Sequence, residues 1–450
     1  MNQKILLITP PGIEMVFPRG IMEIASFLES KRCPVEVLSL SYYLLDDGKI
    51  KNKPKEMERQ IRFVLEKTIK RIDPTIIGIS NQFTKDYPDC VKILEICKKI
   101  NNRFITVIGG PHVTFLDSDC AKSPFIDVVV RGEGEWTMLD LVLSCEKQNN
   151  LENVKGITFK RNDKIIRTPD RPLGDLDELP PINFGLLPHS FVESLSLFLM
   201  INRGCAFNCR FCAEKIFWKE RRAFRVQRMI NELKIFEGEY KNKPVALDDS
   251  MLHLGAPQFL EISSELVKHK IKISPNFYIQ SRVDTISDEG IRALKKAGIK
   301  CVWLGIESAS AKVLRMMNKN ITSDEIITAC RKLRENDINV NAFWIIGHPG
   351  DEPQEAAYSA AFFNYLFSHD LIQFAEINLF IPYPGTPFFN CPEKYGIEIL
   401  SYDYQKWQRW CDRPICQLKG FPVKQIAAFY NVFQGIMSRY MNQTQKQAYV

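Results

Sequence analysis

Short runs rich in isoleucine and valine, spaced by stretches of helix length, limit what this chain can fold into more than any other feature. In the first 145 residues the runs are KILLITPP, PVEVLSL, TIIGISNQF, FITVIGGPH and FIDVVVRGEGE, each ending in glycine, proline or polar residues. Between them lie 18–30, 55–71, 87–101 and roughly 115–122, most with helical periodicity. Buried strands alternating with helices are the pattern of a doubly wound parallel sheet. Such a sheet takes ligands beyond the carboxyl ends of its strands. The glycine-bearing loops PPG (10–12), GGPH (109–112) and GEGE (132–135) fall at those ends.

Residues 146–195 change character. VKGITFKRNDKIIRTP reads as a β-hairpin turning at Asn162 and Asp163, and DLDELPPINFGLLP as a proline-broken connector. From LSLFLMINRGC alternation resumes, with strands expected over 196–202, 244–250, 274–284, 301–308, 340–350 and 375–385. Six strand–helix units fit a partial (β/α)6 barrel of TIM type, with its active site at the carboxyl ends of the strands. The chain is therefore expected to be α/β throughout. Its segments are 1–145 (Rossmann-like doubly wound domain), 146–195 (hairpin and linker), 196–390 (partial barrel) and 391–450 (mainly helical, on the substrate side).

Composition narrows the function. At 450 residues the chain exceeds one ordinary core. Lys plus Arg number 60 against 53 Asp plus Glu, a scattered excess whose longest clusters, such as KERRAFR at 219–225, are short, so no nucleic-acid partner is expected. The apolar run at the N-terminus is broken by Pro10 and Pro11, and no run reaches membrane-spanning length. Thirteen cysteines without a small-domain disulfide pattern point to a reducing, cytoplasmic setting, and a monomer is expected.

Cys205, Cys209 and Cys212 stand apart in RGCAFNCRFC. Three thiols in eight residues beside Arg, Asn and Gly make a poor core. Structural zinc needs a fourth ligand, and no Cys or His lies within ten residues on either side, although a distant one such as His253 stays open. The third reading is a four-iron cluster with one iron free of protein ligation.

The CxxxCxxC spacing, with aromatic Phe211 just before the third cysteine, resembles the signature of the radical S-adenosylmethionine (SAM) superfamily. SRVDTISDEGIRALKKAGIKCVWLGIESAS, then MNK, GHPGDE and YPGTPFF, are similar to successive barrel segments of that family over about 196 to 390. The resemblance implies a [4Fe-4S] cluster on the three cysteines, with the amino and carboxyl groups of SAM on the open iron. One-electron reduction then yields a 5′-deoxyadenosyl radical that takes hydrogen from an unreactive carbon. By position it implies a SAM site of Phe211 near the adenine, Asp248 and Asp249 at the amino group, Ser281, Arg282 and Glu307 at the carboxylate and ribose, and Gly347. Read without the family, the aspartates are a solvated turn, and Arg282 and Glu307 structural ion-pair residues.

PPG with FPRGIMEIASFLES, GISNQFT, VIGGPHVTFL and VVVRGEGEWTMLDL resemble the cobalamin-binding domain of B12-dependent radical SAM enzymes over about 1 to 145. This implies cobalamin held by Pro11, Gly12, Ser80, Thr84, Gly109, Gly110, His112, Gly132, Glu133 and Gly134. The DxHxxG motif is absent and His112 lies in GGPH instead, so the resemblance implies cobalamin without a histidine on cobalt. The implied activity is methylation of an unactivated carbon of a small molecule via methylcobalamin, with electrons from a flavodoxin- or ferredoxin-type donor. The alternatives are a cobalamin-dependent cyclase or rearranging enzyme and, from another class, a non-catalytic sensor or carrier. No acid, base or radical relay is assigned. Tyr383, Tyr402, Tyr404, Trp407 and Trp410 either line an apolar pocket or form a packing stripe on a helix, and Cys411 and Cys416 are expected to be structural.

Overall fold

Isoleucine and valine decide the first sheet. Ile5–Thr9 (β1) is buried at every position, and Val35–Ser39 (β2), Ile76–Ser80 (β3), Ile105–Gly109 (β4) and Val128–Val130 (β5) lie beside it in the order β2-β1-β3-β4-β5. All four of these pairings are parallel. The computed structural model describes residues 3–12, 17–46, 49–50, 54–147, 150–195, 197–240, 245–248, 251–271, 279–408 and 413–441. These form two compact units, Met1–Leu197 and Phe198–Val450.

In the first unit, Leu6, Ile8, Ile77, Ile79, Ile108 and Val129 face Leu65 and Ile69 of helix Pro54–Ile72 and Ile93, Leu94 and Cys97 of helix Tyr87–Ile100. Helices Arg19–Ser30 and Glu135–Glu146 pack against one another. Each fully buried Ile or Leu contributes about 1.5–3 kcal/mol. The stretch expected as one helix near 115–122 is two short ones, Pro111–Phe115 and Asp117–Cys120, broken at Leu116. The expected hairpin exists as Ile157–Arg161 (β6) and Lys164–Arg167 (β7), turning on Asn162 and Asp163 at φ 47° and 61°, the left-handed pair a two-residue turn requires. Its first strand pairs antiparallel with β5, so the hairpin extends the sheet to seven strands.

Strand Leu197–Met200 (β8) crosses the boundary into the second unit and pairs with Val245–Asp248 (β9). Ile279–Arg282 (β10), Cys301–Glu307 (β11), Asn339–Ile346 (β12) and Phe374–Leu379 (β13) follow as a parallel sheet in chain order. Helices between them start and stop on local signals. Ser287 caps Asp288–Ala297, which ends at left-handed Gly298, and Thr322 with Glu325 forms a capping box for Ser323–Arg334. A helix Val423–Tyr440 packs on helix Pro353–Ser368. The expected aromatic stripe is not on an α-helix: residues 404–406 form one 3-10 turn, and Trp407 is buried with Ile381 and Ile415, flanked by Tyr383 and Tyr404. Trp410 and Cys411 lie outside the described residues, and Cys416 is buried. Among the described residues no helix is long and apolar enough to cross a membrane.

Candidate functional site

The three-cysteine loop is anchored at its entry and along its length. Asn202–Arg203 pairs antiparallel with Arg222–Ala223, and Gly204 follows at φ +80°. A Cβ at 204 would stand 2.4 Å from the Glu220 carbonyl oxygen, so only glycine lets these two backbones meet. Beyond it, Arg210 donates its backbone N–H to the Met317 carbonyl (2.9 Å) and its guanidinium to that of Met316 (2.9 Å), while Asn318 Nδ2 donates to the Asn208 carbonyl (2.8 Å). The segment 316–319 thus clamps the loop.

Cys205, Cys209 and Cys212 are in no disulfide and are half-buried. Burial raises the Cys212 thiol well above its ordinary value, and Glu214, Cys209 and Cys205 add to the shift. Three cysteines with no further Cys or His within ten residues are one ligand short for tetrahedral zinc, and they are the donor set that a four-iron cluster with one iron open to a non-protein ligand takes.

Arg282, at the end of β10, joins the loop to the barrel. Its Nη1 donates to Cys209 Sγ (3.3 Å), its Nε and Nη2 donate to Asp284 (both 2.9 Å), and Nη2 also donates to the Lys319 carbonyl (2.8 Å). The guanidinium lies 3.9 Å from the Phe207 ring centroid. Burial opposes its charge, but Asp284, Cys209 and Cys205 outweigh burial and raise its pKa. Glu307 ends β11 at φ +68°, past a register shift at Gly305, and accepts from Lys319 Nζ (3.1 Å) in a pair only 4% and 8% exposed. A side chain at 305 would meet both partners of that pair, within 2.7 Å and 2.8 Å. Arg282 and Glu307 therefore each have their own partner. Lys319, quoted in MNK but given no role from sequence, is the cation that ties them together.

Phe211 stands edge-on to His348 (5.9 Å between centroids) and 6.0 Å from Lys319 Nζ. His348 is fully buried among Phe211, Phe380 and Phe388, and burial lowers its pKa to about 3, so its ring is neutral. Gly347, at φ +76°, donates its N–H to Asp351 Oδ2 (3.2 Å), and burial raises Asp351 to about 7. Ser281 is turned toward backbone, donating to the Leu252 carbonyl (2.7 Å) and bonding Thr285 (2.9 Å). Asp248 closes β9, and Asp249 lies outside the described residues.

In the first unit the expected residues gather by topology. The order β2-β1-β3-β4-β5 reverses between β1 and β3, and the loops carrying Pro11 and Gly12 and carrying Ser80 and Thr84 leave the two strands flanking that crevice. Gly12 donates to Ser41 Oγ (3.1 Å). Gly109 ends β4, and Gly110, at φ +123°, packs its backbone on Asn81, whose carbonyl oxygen a Cβ would meet at 2.1 Å. After β5, Gly132 donates to Thr114 Oγ1 (3.0 Å), the Glu133 carbonyl accepts from Thr137 (3.2 Å), and Gly134 precedes helix Glu135–Glu146. Gly132 has φ +66° with nothing within 4 Å of a Cβ position, an open cradle at the strand edge. His112 is different: it is 2% exposed, packed on Tyr87 (4.6 Å), and lowered to about 4 by burial, so its ring offers no surface to a ligand.

A doubly wound parallel sheet in the first unit, and a second unit whose cysteine loop follows its first strand, define a two-module architecture. Residues 199–363 match the family model of the Radical SAM superfamily, and residues 14–142 match that of the B12 binding domain. The chain belongs to the radical SAM superfamily, in the group that carries a B12-binding domain. It is 33% identical over 370 residues to an uncharacterized methyltransferase of Pyrococcus horikoshii, covering 81% of this chain and 78% of the relative. It is 29% identical to the anaerobic magnesium-protoporphyrin IX monomethyl ester cyclase of Rubrivivax gelatinosus, over 75% of this chain and 61% of that one. Among solved structures, the radical SAM methyltransferase TsrM from Kitasatospora setae superposes with a TM-score of 0.74 at 14% identity, covering 98% of this chain and 90% of that one. At that identity the likeness is one of fold.

Proposed function

We propose that the chain is a cobalamin-dependent radical SAM methyltransferase acting on an unactivated carbon of a small molecule. When bound, the [4Fe-4S] cluster and SAM supply a 5′-deoxyadenosyl radical for hydrogen abstraction, and cobalamin supplies the methyl group. Cys205, Cys209 and Cys212 hold the cluster, and Arg282 fixes the Cys209 sulfur while balancing its charge. Phe211 and Gly347 wall the adenine, and Glu307 with Asp248 and Asp249 meets the polar end of SAM, with Lys319 holding Glu307 in place. Ser281 supports that wall through the Leu252 carbonyl. The loops at 11–12, 80–84, 109–110 and 132–134 cradle cobalamin at the switch point, with no histidine on cobalt, since His112 is spent in the core. Residues 1–145 form the cobalamin module and 196–390 the radical SAM module. A reducing cytoplasm and a flavodoxin- or ferredoxin-type donor complete the proposal.

The observation that carries this reading is the guanidinium of Arg282, which donates to the cluster-loop sulfur of Cys209 and to the backbone carbonyl of Lys319, whose ammonium in turn pairs with the strand-end Glu307. A second reading, SAM cleavage without methyl transfer, draws on the likeness to the Rubrivivax gelatinosus cyclase. Anaerobic reconstitution with iron, sulfide, cobalamin, SAM and reductant, followed by mass spectrometry, separates the two. Methyl transfer yields S-adenosylhomocysteine as well as 5′-deoxyadenosine, the former only with cobalamin present. Deoxyadenosine alone overturns methylation in favour of the second reading.

A further inference from the structure

Arg282 brings a full positive charge to a cluster-loop sulfur. Its side chain is only 6% exposed, and its Nη1 donates to Cys209 Sγ at 3.3 Å. Asp284 takes the edge formed by Nε and Nη2 (both 2.9 Å), and the Lys319 carbonyl accepts from Nη2 as well (2.8 Å). The ring of Phe207, inside the cysteine loop, covers the guanidinium at 3.9 Å. Nη1 is therefore the nitrogen turned to the sulfur, with the carboxylate behind it. A guanidinium has five N–H groups, and four of them are committed to these partners among the described residues. The remaining N–H is on Nη1, whereas a fork-on-fork grip on a carboxylate takes two. Arg282 thus lacks the pair of donors that a clamp on the SAM carboxylate requires.

Hydrogen bonds to the sulfurs and the charges around them set the reduction potential of an iron–sulfur cluster. Taking up one electron makes the cluster and its thiolates more negative by one charge. A cation on a ligating sulfur stabilises that reduced state more than the oxidised one, so it raises the midpoint. A carboxylate nearby acts in the opposite sense. Asp284 stands behind the guanidinium, farther from the sulfur, and Coulomb energy falls with distance, so it subtracts less than Arg282 adds.

We propose that Arg282 is a positioning residue that raises the reduction potential of the cluster through the Cys209 sulfur, tempered by Asp284, rather than a clamp on SAM. This rests on the cluster reading above. The test is a potentiometric titration of the reconstituted holoprotein without SAM. Titanium(III) citrate is the one-electron reductant, and the reduced-cluster electron paramagnetic resonance signal is the readout. Arg282→Gln should make reduction about tenfold less favourable, which for one electron lowers the midpoint by about 59 mV. Arg282→Lys keeps the charge and should recover about half of that shift or more. Asp284→Asn should raise the midpoint, a direction that loosening of the loop does not predict. Asp284 is 30% exposed, so its variant decides the matter if Arg282→Gln retains less iron than the parent. SAM affinity, read from the change in the same signal as SAM is added, should stay within about tenfold of the parent in Arg282→Lys, since losing a charge-assisted clamp would cost about that factor or more. A midpoint unchanged in Arg282→Gln, or not raised in Asp284→Asn, overturns the proposal. So does a larger loss of SAM affinity with the midpoint unmoved, which would return Arg282 to the SAM site. A parent protein with no reversible one-electron signal sinks the cluster reading itself, a result distinct from the others.

Discussion

Replacing Lys319 with methionine leaves Glu307 as a buried carboxylate with no cation beside it. The two side chains are 4% and 8% exposed and 3.1 Å apart. Breaking such a pair from one side costs about 3–5 kcal/mol, because the remaining charge has lost both water and partner. The surface pair Lys312–Glu352 is 44% and 48% exposed, so Lys312→Met should cost no more than about 1 kcal/mol and serves as the control. Five of the six tryptophans lie after residue 198, so urea unfolding followed by tryptophan fluorescence reports the second unit. With a slope of about 3 kcal/mol per molar, the Lys319→Met midpoint should fall by about 1 to 1.7 M. Glu307→Gln/Lys319→Met should recover much of that loss, since neither residue is then charged. A Lys319→Met cost no larger than the Lys312→Met cost, or a double variant no better than the single one, would refute the reasoning.

Gly110→Ala, driving a Cβ into the Asn81 carbonyl, should cost the first unit more than about 2 kcal/mol in urea unfolding, whereas Gly132→Ala meets only open space and should cost about 1–2 kcal/mol for its left-handed backbone. Gly204→Ala should lower the iron retained per chain after reconstitution, and Gly420→Ala, also left-handed but in open surroundings, should not. Burial raises Asp351 from 3.8 to about 7, so the folded chain keeps a proton that the unfolded chain releases. Its contribution is complete below about pH 4 and is lost as pH rises through about 7, an effect of at most about 4 kcal/mol. Asp351→Asn should flatten the decline in unfolding midpoint between pH 5 and pH 8, and an unaltered slope would count against this account.

The strands were legible because isoleucine and valine runs mark burial on both sheet faces, and the Asn162–Asp163 turn because those residues accept left-handed backbone. The three cysteines were legible from spacing. Lys319 was not, because its burial arises from non-local geometry: the register shift at Gly305 and the left-handed Glu307 bring a strand end to it. Asn318 and Asn320, both left-handed, were the available local hint of a tightly folded segment. His348 was hidden likewise, since three phenylalanines from separate segments enclose it. Three-residue strands such as Ile397–Ile399 and Cys416–Leu418 are too short to carry a period.

Electron paramagnetic resonance of the reduced, reconstituted protein, recorded with and without SAM alongside iron analysis, tests the central claim that three thiols hold a cluster with one open iron. The account predicts about four irons per chain, a reduced-cluster signal whose g-values move when SAM is added, and loss of both in Cys209→Ala. Zinc in place of iron, or a cluster signal indifferent to SAM, would contradict it.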